Sequence, residues 1–417
     1  MSKHIVVVGA GVVGLCTAYY AAQKGHRVTV LDRAPSAGDG CSYGNAGMVV
    51  PSHFVPLAAP GMVALGLRWM WNPESPFYVR PRLSAELLSW GIKFWRAANA
   101  EHVARSAPLL RDLHWTSRGC FEELGALWGD DFGLAKKGLL ILCKTAHGFH
   151  EEAQVARRAE DLGIAAAVYG ASEVAALEPD VRMDVAGAVH YPMDCHLTPG
   201  RLMAALERET AKSGVRLVRG TEVTGFRVAG RRIEALETSC GDVAGDEYVL
   251  CAGIWSSRVA RALRLAIPME AGKGYSLTLP RPRATLRHCA ILSEARVAVT
   301  PMGGALRFGG TMELSGVDSR IDPARVRGIV RAAARYYPEF TEADFDGVSP
   351  WCGLRPCSPD GLPYVGRAAN YDNLSMATGH AMMGVSLGPV TGKLIAEVLS
   401  GEPPSLDIEA LSPNRYS

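Results

Sequence analysis

Residues 3–33, KHIVVVGAGVVGLCTAYYAAQKGHRVTVLDR, confine the start of this chain to one kind of structure. Ile5 to Val8 is a run of branched apolar residues, the signature of a central parallel strand buried on both faces. Gly9-Ala10-Gly11-Val12-Val13-Gly14 follows at once and matches G-x-G-x-x-G. In that pattern the first glycine makes a tight turn, the second lets backbone approach a pyrophosphate, and the third lets the helix lie close to the strand. A helix from Val12 to Lys24 stops at Gly25, which suits a left-handed cap. The free amides and the dipole at its N-terminus favour an anion. A second strand, Arg27 to Leu31, brings Asp32 and Arg33 to the same edge, with Asp32 twenty-one residues after Gly11. A carboxylate at that spacing can accept the hydroxyls of a ribose. Glycine-rich turns alone are common; strand, turn, helix, strand and acid in one unit point to a dinucleotide site.

At 417 residues the chain has room for two domains with substantial cores. Its hydrophobic content of 48% and charged content of 21% are those of an ordinary globular protein. A net charge of +2, with no basic run, argues against nucleic acid as a partner. Only Met1, Ser2, Lys3 and His4 precede the first apolar strand, so no secretory leader is expected. No uninterrupted apolar stretch reaches the roughly 18 residues of a membrane-spanning helix. The most apolar region, Gly47 to Trp71, is broken by Pro51, Pro56 and Pro60. The ten cysteines, at positions 16, 41, 120, 143, 195, 240, 251, 289, 352 and 357, form no C-x-x-C and no zinc spacing. They read as reduced thiols of a cytoplasmic protein without a metal site. Cys357 is expected to pack rather than to react.

The βαβ pattern does not continue past Asp32. Residues 34–47, APSAGDGCSYGNAG, are small, polar and glycine-rich, which suits a loop at a ligand. Amphipathic helices are predicted at Ser84 to Ala98 and Ala107 to Trp128, the second with Leu109, Leu113, Thr116, Cys120 and Leu124 along one face. α/β character returns at Thr198, an N-cap followed by Pro199; that helix runs to Ser213, and Gly214 leads into a strand at Val215 to Val218. Residues 221–253 read as three short strands, the last ending in Ala252-Gly253. Residues 260–345 read as mixed β structure followed by a helix from Pro323 to Tyr337. Near the C-terminus, ATGHAMMGVSLG is a second glycine-rich strand-to-helix junction, leading into a helix from Leu387 to Leu399. Mononucleotide-type segments separated by insertions predict an α/β fold with a discontinuous Rossmann-like cofactor domain, residues 1–52, 172–258 and 347–417. Residues 53–171 and 259–346 are expected to build a second, mixed-sheet α+β substrate domain.

Six ordered blocks span nearly the whole chain: GAGVVGLCTAYYAAQKGHRVTVLDR, SYGNAGMVVPSH, PLAAPG, KGYSLTLP, WCGLRPCSPDGLPYVG and ATGHAMMGVSLGPVTGKLIAEVLSG. Together they resemble the FAD-dependent D-amino-acid oxidase superfamily, and within it the bacterial D-amino-acid dehydrogenases, D-proline and hydroxy-D-proline types included. The resemblance implies FAD as cofactor, held by Gly9, Gly11, Val12, Val13, Gly14, Asp32 and Arg33. It implies that Ser42, Gly44, Asn45, Ala46, Gly47 and Met48 wrap the flavin ring and pyrophosphate. Val223 would offer a backbone contact to adenine, and Ala252, Gly253 and Trp255 would lie beside the phosphates. Gly379, His380, Met383, Gly384, Val385 and Ser386 would meet the pyrimidine side of the ring, where helix amides can stabilise negative charge. Two departures bear on substrate and acceptor. Residues 379–381 read Gly-His-Ala where many relatives have Gly-His-Gly, and Tyr43-Gly44 replaces another pair common in the well-known dehydrogenases.

The resemblance also assigns Arg355 to the substrate carboxylate. A guanidinium is a planar fork that matches a carboxylate bidentately and stays charged when partly desolvated. Tyr275 would line the same pocket, sharing the carboxylate or closing the site; the alternative is a tyrosine packed in a sheet. His380 could tune the flavin or relay a proton. His53 is a second imidazole beside a matching block, bordering the substrate or purely structural. The implied reaction is oxidation of the amine of a D-amino acid, with hydride passing from the α-carbon to flavin N5. The imino acid then hydrolyses to a 2-oxo acid, or persists as a cyclic imine. The electron acceptor would be a quinone or another carrier. The expected location is cytoplasmic, or peripheral to the inner face of a membrane, with Leu65 to Trp71 as a candidate contact and core packing as its plainer use. Three rivals remain: a flavin oxidase using O2 of the glycine, sarcosine or proline type, a non-catalytic FAD-binding subunit, and a nicotinamide dehydrogenase.

Overall fold

Branched apolar residues decide the first sheet. His4–Val8 pairs in parallel with Arg27–Leu31 on one side and Glu247–Leu250 on the other, and Ile5, Val6 and Val7 are completely buried. The strand order is Tyr364–Arg367, Leu374–Thr378, Glu247–Leu250, His4–Val8, Arg27–Leu31 and Arg216–Val218, with Tyr364–Arg367 antiparallel at one edge. These coordinates are a computed structural model that describes every residue except 39, 71, 73 and 417; Trp71 of the apolar stretch therefore lies outside the described residues.

The first helix, Val12–Gln23, lies under this sheet against the last helix, Gly384–Ser400. The two backbones come close enough that a Cβ on Gly392 would sit 2.5 Å from the Cys16 carbonyl carbon. Ala381–Ser400 is long and apolar enough to cross a membrane, but 78% of its most apolar window is buried inside the protein, as in a core helix. Ala100–Trp128 adds Leu110, Leu113, Phe121 and Leu124 to the same core. It begins seven residues before the predicted Ala107, because the Asn99 side chain accepts from His102 N at 2.9 Å and Pro108 is carried inside the helix.

The second sheet has nine strands. Its order is Trp351–Cys357, Glu270–Leu279, Ala305–Leu314, Val297–Met302, Cys289–Leu292, Leu139–Cys143, Gly187–Tyr191 and Ala167–Gly170, and Phe77–Val79 joins beside Ala305–Leu314. The helix Pro323–Tyr336 covers one face, where Ile329, Val330 and Ala333 pack with Leu277, Val299 and Phe308. Three segments depart from the predicted division of the chain. Gly187–Tyr191 and Trp351–Cys357, assigned above to the cofactor domain, pair into the nine-stranded sheet, and Ala100–Trp128, assigned to the substrate domain, packs on the cofactor core. Sheet membership is set by which backbone supplies the hydrogen bonds, and that is not encoded in the composition of a segment.

Candidate active site

Both sheets contribute to one cavity of about 1420 Å³. Pockets for single small molecules run about 300–1,000 Å³, so this one has room for a dinucleotide and a small substrate together. Gly11 opens onto it in extended backbone, φ −71° and ψ 175°. A Cβ at Gly11 would come no nearer to the protein than 3.6 Å, at Ser42 Oγ. The fold itself therefore does not require glycine here; an occupant lying on the backbone does. Behind it, a Cβ on Gly14 would stand 1.9 Å from Gly9 O, so that glycine serves the contact of helix with strand.

The walls fit FAD. Ser42 Oγ accepts from Val12 N at 3.0 Å and ties the 42–48 loop to the start of the first helix. Asp32 accepts from Ala10 N at 2.6 Å and from Ala34 N at 2.8 Å, one bond to each carboxylate oxygen, which leaves lone pairs for ribose hydroxyls. Arg33 lies 3.8 Å over the Trp255 ring, and both line the cavity with Val223, Ala252 and Gly253. Gly44, Asn45, Ala46 and Met48 line it from the loop, and Met383, Gly384, Val385 and Ser386 from the last helix. Among the described residues no side chain caps that helix, so its first amides are open to an anionic ring. Gly14, Gly47 and Gly379 sit behind the wall rather than in it. Ala381 stands at φ +47°, a conformation in which glycine is unstrained, which gives the Gly-His-Ala departure a physical meaning.

Arg307 was not singled out in the sequence, yet it holds the loop. Its Nη1 donates to Tyr43 O at 3.0 Å and to Asn45 O at 2.7 Å, and its Nε donates to Thr278 Oγ1 at 2.9 Å. An arginine between Leu306 and Phe308, both buried in a strand, is the signal that could have found it.

Arg355 lines the cavity, and burial pulls its pKa below the usual guanidinium value. Its Nη1 donates to Thr311 O at 2.6 Å, and among the described residues no carboxylate pairs with it. Two backbone features place it. A Cβ on Gly274 would stand 2.1–2.3 Å from three guanidinium atoms, so the group lies across the neighbouring strand only because residue 274 has no side chain. Opposite Gly274 the register shifts, with Lys273 facing Glu313 and Tyr275 facing Gly310. This bulge holds Thr311 at φ +70°, a conformation that costs roughly 1–3 kcal/mol for a non-glycine residue. Bulges of this kind re-aim groups beside active sites, here a carbonyl.

Tyr275 lines the same cavity as Arg355, but its hydroxyl is engaged elsewhere. Its hydroxyl donates to Glu313 Oε2 at 2.6 Å, and Glu313 Oε1 lies 3.2 Å from Lys273 Nζ. Tyr275 belongs to the core under Pro323–Tyr336, whereas Ser276 Oγ, on the other face, donates to Gly44 O at 3.1 Å. Gly274 and Tyr275 both border the cavity, but the Tyr275 hydroxyl is turned to Glu313 under the helix, while Ser276 is turned to the 42–48 loop. Tyr275→Phe is expected to cost about 1–3 kcal/mol of stability by depriving the buried Glu313 of a donor, with KM for substrate unchanged. Denaturant unfolding beside steady-state kinetics checks this; a large rise in KM with unaltered stability would restore the carboxylate-binding role.

His380 lines the cavity and is 2% exposed, and its Nε2 lies 2.9 Å from Thr391 Oγ1. Burial lowers its pKa to about 3, so it is neutral near pH 7 and ties the 379–381 turn to the last helix. His53 lines the cavity, its pKa lowered to about 4 by burial and then by Arg296. Behind it His114, also unanticipated, shares Ser386 Oγ at 2.9 Å. Cys357 is fully buried, and burial lifts its thiol to about 12, in keeping with a packing role.

Comparison with known proteins agrees with this geometry. Residues 4–398 match the family described as FAD dependent oxidoreductase. The D-amino acid dehydrogenase of Methylobacterium nodulans is 34% identical over 426 residues, covering 99% of each chain. That of Bradyrhizobium diazoefficiens is 32% identical over 428 residues, again covering 99% of each. Among solved structures, glycine oxidase from Geobacillus kaustophilus superposes with a TM-score of 0.80 at 24% identity, covering 100% of this chain and 99% of its own. L-proline dehydrogenase from P. horikoshii superposes at 0.75 with 19% identity, covering 100% and 98%. These two share the fold.

Proposed function

This chain belongs to the family of FAD-dependent oxidoreductases, and from that membership we propose that Arg355 clamps the carboxylate of a D-amino acid whose α-hydrogen leaves as hydride. The protein is an FAD-dependent oxidoreductase acting on amino acids. When bound, FAD accepts the hydride and later passes the electrons on. The observation that carries the reading is a half-buried guanidinium in the cavity with no carboxylate partner among the described residues. A partly desolvated charge without a counter-ion is costly, so the arrangement is completed by an anionic substrate. Arg355 fixes the acid group, and the fixed acid group orients the α-carbon; orientation is the protein's main contribution to such a step. The relatives' name favours the D configuration. A primary amine then gives an imino acid that hydrolyses to a 2-oxo acid, and a cyclic amine gives a cyclic imine.

The acceptor in this reading is a quinone rather than O2. The helices Met62–Trp69 and Ala85–Ala97 border the cavity and expose Leu67, Leu88, Ile92 and Trp95, at 60%, 67%, 44% and 66%. Exposed Arg68 and Arg96 flank them. Such an apolar mouth with a basic rim suits a cytoplasmic protein resting on an anionic membrane surface, where a quinone is available.

Mixing under argon with D- and L-forms of one primary and one cyclic amino acid tests the donor. Bleaching of the flavin by the D-forms is expected; no bleaching by any amino acid would favour a binding-only subunit. Reoxidation by a soluble quinone without peroxide is expected for the acceptor, and rapid peroxide formation in air would make the protein an oxidase.

A further inference from the structure

We infer that His53, Ser52 and Asp194 form a relay that takes the proton shed by the substrate ammonium, a role that rests on the amine-oxidation reading above and deepens it. Ser52 is its centre. The Ser52 hydroxyl donates to Asp194 Oδ2 at 2.5 Å, and Ser52 N donates to Asp194 Oδ1 at 3.0 Å. With its proton committed to Asp194, the hydroxyl oxygen accepts from His53 Nδ1 at 3.3 Å. The Nδ1–H tautomer leaves a lone pair on Nε2. His53 is half-buried and lines the cavity, and the relay takes that lone pair as its acceptor on the substrate side. Asp194 is completely buried, and its carboxylate is hydrogen-bonded to Ser52, which lines the cavity.

An ammonium cannot release hydride from its α-carbon until the nitrogen carries a lone pair. One N–H bond of the ammonium breaks and its proton binds His53 Nε2. The Nδ1 proton passes to Ser52 Oγ, and the Ser52 proton passes to Asp194 Oδ2. The substrate nitrogen keeps the electron pair, His53 ends neutral in the other tautomer, and the proton rests on Asp194; nothing is oxidised or reduced. Burial sets that direction, holding His53 near a pKa of about 4 and raising Asp194 to about 7. The groups facing Asp194 are Arg118 of the long helix, Tyr191, Cys195 and Cys289, and those facing His53 are Arg296 and His114.

Turnover of the FAD-loaded protein measured across pH tests the relay. Wild-type kcat is expected to fall as pH drops through about 7, because a protonated Asp194 cannot accept. Asp194→Asn, although asparagine can still accept from Ser52, should lose that limb together with about 10²- to 10⁴-fold in kcat; a carboxylate that merely anchors the loop would leave the limb in place. His53→Gln keeps the Ser52–Asp194 bonds and should lose the same limb, which preserves the test if Asp194→Asn does not fold. Variant pH profiles superimposable on that of the wild type would overturn the relay. Failure of amino acids to bleach the flavin is a separate result and overturns the functional reading itself.

Discussion

Arg355→Ala is expected to lower kcat/KM about 10²- to 10⁴-fold in a protein that stays folded and yellow. The size follows from removing one partner of a desolvated charge pair, which costs roughly 3–5 kcal/mol because the substrate carboxylate then enters the cavity unpaired. Flavin retention follows from position: Arg355 bonds Thr311 O, whereas the loop and helix starts that fit FAD are tied by Ser42, Arg307 and Asp32. Arg355→Lys should recover part of the loss, since it restores charge without the fork. Gly274→Ala should move activity the same way without touching the guanidinium chemically, because the added methyl would occupy space within 2.1–2.3 Å of guanidinium atoms. Its loss should appear mainly as a raised KM. Near-wild-type efficiency in a flavin-loaded Arg355→Ala protein would remove the carboxylate clamp from this site.

The difference between Arg355 and Tyr275 shows what the sequence can carry. Both lie in blocks that resemble the same family, and both were assigned to one pocket. Arg355 offers its guanidinium there because two neighbouring glycine-bearing strands and a bulge leave it space; Tyr275 also lines the cavity, but its hydroxyl is spent on Glu313 on the far face of the strand. The alternation was legible in principle, but which face meets the cavity was not, since Lys273 heads the apolar face, both faces are largely buried and the bulge interrupts the count. The cofactor strand, turn and helix were legible because every level agreed: branched residues, glycines and acid at fixed offsets. Asp194 was invisible for the opposite reason. It lies 142 residues from Ser52, which falls in the SYGNAGMVVPSH block, and sits in no pattern that marks it until the fold brings the two to 2.5 Å.

Gly11→Val should yield a folded protein that purifies colourless. Residue 11 has φ −71° and ψ 175°, extended backbone that valine adopts readily, and the nearest protein atom to a Cβ there is 3.6 Å away. Among the described residues nothing crowds a Cβ at this position; the space it enters is where a pyrophosphate would approach the backbone. Gly14→Val makes the contrasting case. Its Cβ would lie 1.9 Å from Gly9 O, so helix and strand would be forced apart and folding itself should fail. Thermal unfolding separates the two outcomes. A ligand present at about 1,000 times its Kd adds roughly 4 kcal/mol of stability, so added FAD should raise the Tm of stripped wild type and leave Gly11→Val unmoved at the stripped value. A Gly11→Val protein that binds flavin and gains stability from it would mean that the pyrophosphate does not lie over residue 11.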